Sequence, residues 1–197
     1  INPGNIGSVA NALKFLKYPY ELISQTKDLN NCKAIIVPGV AHFEYLMSKL
    51  REEGFIELLN EKVSSRKLFY LGICAGMQIL SDYSSEGNTL GLGWIKGKVE
   101  EIPKKSTKGD IIKIPHIGWH RLKILNKSKI YSEIPNKMRA YFVHSFHYKV
   151  ADKSCVSAEV FYGRNIVASV EQNNIFGVQF HLEKSGENGI QMIKNFV

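Results

Sequence analysis

The chain has 197 residues, a formal net charge of +8 and three cysteines. Its 44% hydrophobic and 22% charged content are those of an ordinary soluble globular protein, and its length suits one domain spanning residues 1–197 with a full core. No apolar run approaches the roughly 20 residues of a membrane span, and no signal-peptide pattern opens the chain, so no membrane association is expected. The lysines are scattered (Lys96, Lys98, Lys104, Lys105, Lys108, Lys113) with no dense basic block, so the positive charge reads as a solvated surface and nucleic acid is not an expected partner. Cys32, Cys74 and Cys155 are odd in number and far apart. That spacing implies free thiols, a reducing compartment and a cytoplasmic location. The chain opens at Ile1 without a methionine and stops at Val197, so further terminal residues are expected.

In chain order, Ile6, Val9, Ala10, Leu13 and Leu16 recur at helical spacing. Ala34 to Val37 is a short buried strand ending in Pro38-Gly39. Phe43, Leu46, Met47 and Leu50 mark a second helix, continuing unevenly through Phe55, Leu58 and Leu59. Lys67 to Ile73 reads as a strand and Ala75 to about Tyr83 as the helix after it. This alternation predicts parallel βαβ units with helices on both faces. After Ser84 short β-like pieces take over: 93–102, 110–115, 121–125, 140–150, 155–161, 166–171 and 175–183. They predict a mixed or antiparallel extension of the same sheet, closed by a helix over 186–196. The fold class is therefore α/β, an open and mostly parallel twisted sheet flanked by helices, with an antiparallel extension.

The run Gly72-Ile73-Cys74-Ala75-Gly76 is where strand turns abruptly into helix. Glycines two residues either side of the turn residue let neighbouring backbone approach closely. This is the pattern of a nucleophile elbow with cysteine as the nucleophile, and a thiol at a helix N-terminus has its thiolate favoured. Near the C-terminus, Phe176, Val178, Phe180 and Leu182 alternate with Gln179, His181 and Glu183. As a strand, this segment puts His181 and Glu183 on one face, as a base and its orienter. Backbone N–H groups at Gly39 and Val40, with that of Ala75, are candidates for an oxyanion hole. His116 and His120, and His144 and His147, are polar-aromatic clusters without zinc-motif spacing, so no metal site is expected. Gly91 to Gly97 is glycine-rich but fits neither a P-loop nor a dinucleotide fingerprint, and no cofactor is expected.

Together these residues resemble the class I (triad) glutamine amidotransferases, a family with a flavodoxin-like glutaminase fold. Within it they look most like the glutaminase subunits of imidazole glycerol phosphate synthases. The motifs are Gly4-Asn5-Ile6 with Ser8-Val9, Pro38-Gly39-Val40, Gly72 to Gln78, Pro115 to Trp119, Tyr141 to Ser145, and Gly177 to His181 with Glu183 to Gly186. The resemblance implies that Cys74 attacks glutamine, His181 moves the protons and Glu183 orients His181. It implies an oxyanion held at Val40 and Ala75, and a glutamine amino-acid end held by Gln78, Ser145 and Phe146. Asn5, Trp119 and Lys184 match positions facing a (β/α)8-barrel cyclase, which would form a heterodimer with this chain and take up the ammonia for histidine biosynthesis. Leu182, His120, Ala41 and Gly7 depart from the family pattern, in which proline, asparagine, glycine and arginine stand there. His120 and Gly7 are expected toward the barrel. The opening motif and the Gly91 to Ile95 run also resemble a paralogous branch that supplies ammonia for amidination of bacterial surface sugars. A catalytically silent regulatory subunit is a further alternative, which the intact set Cys74, His181 and Glu183 argues against.

Overall fold

The computed structural model describes residues 5–126 and 128–197; Gly4 of the opening motif lies outside them. In chain order the main elements are α1 (Ile6–Phe15), β1 (Ala34–Gly39), α2 (Phe43–Glu52), α3 (Phe55–Ser64), β2 (Phe69–Cys74) and α4 (Ala75–Gln78). They continue as β3 (Tyr83–Ser84), β4 (Thr89–Leu90), β5 (Gly97–Glu101), β6 (His116–Ile124), β7 (Arg139–His144) and β8 (Phe146–Val150). The chain closes with β9 (Val156–Phe161), β10 (Asn165–Gln172), β11 (Ile175–Val178) and α5 (Gly186–Phe196).

A seven-stranded sheet runs β1-β2-β11-β10-β9-β6-β7. The first three strands are parallel, and every later pairing is antiparallel. The fold is the expected α/β arrangement, but the antiparallel extension is the larger part of the sheet. β2 alternates its side chains between two cores. Tyr70 packs with Leu46, Leu50 and Leu59 from α2 and α3, whereas Leu71 and Ile73 pack with Val9, Leu13, Met192 and Ile193 from α1 and α5. A strand buried on both faces reads as a continuous apolar run, which is why 67–73 is so evident in the sequence. Among the described residues no helix is long and apolar enough to cross a membrane.

A second, four-stranded sheet, β4-β3-β5-β8, packs beside the first. The expected strand over 140–150 is in fact two strands. β7 belongs to the large sheet and β8 to the small one, with Ser145 alone between them. The helical pattern through Phe55 likewise resolves into two helices, broken where Gly54 takes φ 73°. Residues 110–115 form only an isolated bridge between Lys105 and Ile111 instead of a strand.

The helix after the elbow stops at Gln78 instead of near Tyr83. Its would-be continuation loses its acceptors to a neighbouring loop. Leu92, Ile95 and Gly93 donate to the carbonyls of Ile79, Leu80 and Ser81 at 2.7, 3.1 and 2.9 Å. The glycine-rich run thus caps α4. A Cβ at Gly91 would stand 2.2 Å from the Ser81 carbonyl oxygen.

The triad segment also departs from a plain strand. β11 ends at Val178. Gln179 N–H then bonds Ala168 O on β10 at 2.8 Å, and His181 N–H bonds Tyr141 O on β7 at 2.9 Å. The chain crosses from one strand to another, and 182–184 form a 3-10 turn. His181 and Glu183 do not share a strand face, because each backbone amide finds a different acceptor and the ladder is broken.

The closest backbone approach lies where α4 passes β1. A Cβ at Gly76 would stand 1.9 Å from the Val37 carbonyl oxygen, and one at Gly72 would stand 2.1 Å from the Gly76 carbonyl oxygen. Neither obstacle is a flexible side chain. Gly76→Ala is expected to destabilise the fold by about 3 kcal/mol, read as a lowered urea midpoint.

Candidate active site

Cys74 is the last residue of β2 and the N-cap of α4, with φ 55° and ψ −111°. A non-glycine residue in this region is strained, and the strain persists only where the surroundings impose it. Here β1 pairs Gly39 directly with Cys74, and a Cβ on Gly39 would meet the Ala75 Cβ at 2.7 Å. Buried Tyr70 donates its hydroxyl to the Gly76 carbonyl at 2.8 Å, pinning the first turn of α4. The elbow is therefore clamped from β1 and β2, and the thiol is presented at the start of a helix, 7% exposed.

His181 Nδ1 lies 2.7 Å from Glu183 Oε1, with both side chains excluded from solvent. A carboxylate only accepts, so Nδ1 carries the hydrogen and Nε2 faces the reaction space. Asn5 donates its amide to the same Glu183 oxygen. Ser185 Oγ donates to the His181 carbonyl at 2.6 Å and accepts from Tyr141 N–H at 3.1 Å. The imidazole is thus held through its ring and its backbone. Burial opposes charge on His181, but the neighbouring Cys74 sulfur and the Glu183 carboxylate outweigh it and raise its pKa to about 9. No hydrogen bond to Nε2 is aligned in this state, as is common before substrate closes an active site.

Cys74 and His181 open into a cavity of about 260 Å³. Val40 and Ala75 line it from the elbow side, and Ser145 and Phe146 from the junction of the two sheets. Gln78 lines it as well. Of the expected oxyanion residues, Gly39 is the buried strand end that lets Ala75 approach, while Val40 and Ala75 face the cavity. The residues expected toward a partner fall in two places. Asn5 is committed to Glu183. Trp119 is 44% exposed with its ring 6.0 Å from Tyr141, and Lys184 Nζ stands 5.8 Å over that same ring.

Two residues in and beside the cavity carry little signal in the sequence. Glu86 follows β3 in a polar turn, yet its carboxylate lines the cavity. It accepts from Phe43 N–H at 2.9 Å, with His42 Nε2 3.9 Å away. Gln179 donates to Cys74 Sγ at 3.6 Å; its place in the alternation with His181 was the one hint. Among the described residues no group of three or more His, Cys, Asp or Glu side chains could hold a metal ion. His120, the departure after Gly118-Trp119, is half-buried, with its ring against His116 and Tyr162. Gly7 sits on open surface, with nothing within 4 Å of an added Cβ.

A family model described as glutamine amidotransferase class-I matches residues 6–197. The chain belongs to the class I glutamine amidotransferases. It is 43% identical over its whole length to the imidazole glycerol phosphate synthase subunit HisH of Pelagibacter ubique, covering 95% of that protein. It is 38% identical to the protein of the same name from Leptospira interrogans, over 98% of this chain and 94% of that one. Among solved structures, a glutamine amidotransferase superposes with a TM-score of 0.77 at 19% identity, over 99% of this chain and 93% of that chain. A glutamine amidotransferase from Thermotoga maritima superposes with a TM-score of 0.67 at 14% identity, over 100% of this chain and 78% of that one. At those identities the structural likeness speaks to the fold, and this amidotransferase has the same curled mixed sheet flanked by helices.

The His181 shift sets a pH dependence. Its folded pKa of about 9 lies above the ordinary 6.5. Its pairing therefore stabilises the fold fully below pH 6.5, and that contribution fades as pH rises through about 9. In a ring-proton NMR titration His181 is expected to titrate near pH 9 in the wild type. In Cys74→Ser, which removes the sulfur that helps raise it, the midpoint is expected to fall.

Proposed function

We propose that this amidotransferase is the glutaminase subunit of an imidazole glycerol phosphate synthase, with Cys74, His181 and Glu183 as its triad. The observation that carries the chemistry is the 2.7 Å contact between His181 and Glu183, set in the same cavity as the strained Cys74 elbow. The synthase assignment is supported by full-length relatives that bear that name. On this reading residues 1–197 act as one glutaminase domain working in the cytoplasm, consistent with three free cysteines.

Glutamine enters with its carboxamide at Cys74. The sulfur bonds to the carboxamide carbon, and the carbonyl electron pair moves onto oxygen. N–H groups at Val40 and Ala75, shaped by Gly39, hold that oxyanion. Protonated His181 gives its Nε2 hydrogen to the departing nitrogen, so ammonia leaves and a thioester remains. Neutral His181 then takes a proton from water as the water attacks the thioester, releasing glutamate and the thiol. Glu183 keeps Nδ1 protonated throughout, and Asn5 keeps Glu183 in place.

At the other end of the substrate, Glu86 supplies a negative charge for the α-ammonium group, and Gln78, Ser145 and Phe146 complete the enclosure. The ammonia passes to a (β/α)8-barrel cyclase as the second half of a heterodimer, because free ammonia would be lost to protonation in water. Exposed Trp119 and Lys184, with half-buried Tyr141 between them, form the aromatic and cationic surface against which the barrel sits. No cofactor enters any step.

The test is glutamate release from glutamine by this chain with its barrel partner, with and without the phosphoribulosyl substrate of the cyclase. Strong stimulation by that ligand is expected. Activity indifferent to it would instead place the enzyme in surface-sugar amidination. Cys74→Ser is expected to lower glutamine-dependent turnover by roughly a thousandfold or more while sparing ammonia-dependent turnover. Glu183→Gln should slow hydrolysis less than Cys74→Ser does. Unchanged output from Cys74→Ser would mean a silent regulatory subunit. Glu86→Gln should raise the glutamine KM by about tenfold with little change in kcat.

A further inference from the structure

His116 on β6 and His144 on β7 stand opposite each other in register, both buried. His116 Nδ1 lies 3.0 Å from His144 Nε2, and His144 Nδ1 lies 2.7 Å from the Phe146 carbonyl oxygen. A carbonyl oxygen can only accept, so His144 Nδ1 carries a hydrogen. Burial pushes the pKa of His144 down to about 4 and that of His116 to about 3, so both rings are neutral near pH 7. A neutral ring protonated at Nδ1 has a bare Nε2, so His116 Nδ1 must be the donor to His144. The tautomers of both rings are thereby fixed. The plane of His116 is fixed too, between Phe142 at 4.7 Å and Tyr162 at 4.0 Å, both near-parallel to it.

The same Phe146 carbonyl accepts from Gln78 Nε2 at 3.0 Å. Gln78 spends its other amide hydrogen on Gln179 Oε1 at 3.0 Å. Gln179 must then turn its own Nε2 toward Cys74 Sγ, at 3.6 Å. The polarity of the line is set by one oxygen that cannot donate. It leaves Gln78 with only its carbonyl oxygen to offer a ligand, and it gives the Cys74 sulfur an N–H donor. A flipped Gln78 would present its donors to a substrate ammonium group and repel it.

We propose that His116 and His144 are positioning residues for glutamine, acting in series through the Phe146 carbonyl to hold the amide planes of Gln78 and Gln179. The proposal rests on the glutaminase reading given above and adds how substrate recognition at that site is kept in register. Neither histidine touches the reacting atoms. His144 reaches the cavity wall, and His116 acts only through His144.

The relay is tested in the full chain with its barrel partner. His144→Phe keeps an aromatic ring but removes the donor to Phe146, and is expected to raise the glutamine KM about tenfold, with kcat changed less than KM. His144→Asn keeps an N–H near the Nδ1 position and should stay within about threefold of wild type. His116→Phe should raise KM about threefold, and the double variant His116→Phe/His144→Phe should be no worse than His144→Phe alone, because elements in series are not additive. Histidine side-chain 15N shifts of the wild type at pH 7 should show a hydrogen at Nδ1 of both rings, a readout that needs neither glutamine nor a variant that folds. A folded His144→Phe with unmoved KM overturns the relay, as does an Nε2 hydrogen on His144 or a double variant whose effect is the product of the singles. If His144→Phe does not fold, the tautomers together with His116→Phe against His144→Asn decide. A wild-type complex that releases no glutamate overturns the glutaminase reading and the relay with it. Normal wild-type turnover with indifferent variants overturns the relay alone.

Discussion

Everything at the site depends on how near the backbone of α4 comes to β1. The Gly76 Cα faces the Val37 carbonyl with no room for a methyl group, and that contact forces β2 to turn within a single residue. Cys74 absorbs the turn by taking a positive φ. A looser junction would let Cys74 relax into ordinary backbone, and the sulfur would swing away from His181. The apolar cores on both faces of β2 supply the stabilisation that holds this strain. Packing far from the chemistry thus fixes where the thiol points.

The electrostatics follow from that placement. Despite burial, the neighbouring Cys74 sulfur and Glu183 carboxylate hold charge on His181 well above its ordinary range. Glu183 and Asn5 hold the far side of the ring. The corner is asymmetric. His116 and His144, by contrast, are kept neutral by their burial.

The sequence made the elbow legible because glycines at fixed offsets around a cysteine, after a doubly buried strand, admit few other geometries. The parallel unit and α5 were legible from strong periodicity. His181 and Glu183 were legible as residues but not as geometry. The alternation suggested a strand, whereas the backbone amides of 179 and 181 bond to different strands and the pair meets across a 3-10 turn. Glu86 was not legible, since a carboxylate in a polar turn looks solvated until the fold lays it against α2. The histidine clusters lack metal-motif spacing and offer no role in the sequence; only the pairing of β6 with β7 shows His116 and His144 bonded to each other. The shortness of α4 is not legible because its competitor lies a dozen residues downstream, in the loop that takes the carbonyls of 79–81.

Ser145, the single residue between strands of two different sheets, has a consequence for the order of assembly. One wall of the cavity exists only once β8 has paired with β5, nearly fifty residues earlier in the chain, and once β7 has joined β6 at the far edge of the large sheet. Non-local pairings of this kind close late, since the entropy of the intervening loops is lost before the contacts repay it. The β1-β2 clamp on the elbow is itself non-local, pairing Gly39 with Cys74, and β2 pairs on its other side with β11 near the end of the chain. Because Cys74 precedes Ser145, Phe146 and His181 in the chain, a nascent chain carries its nucleophile before it has a pocket to bind glutamine, and the half-made enzyme is inert toward its substrate during synthesis.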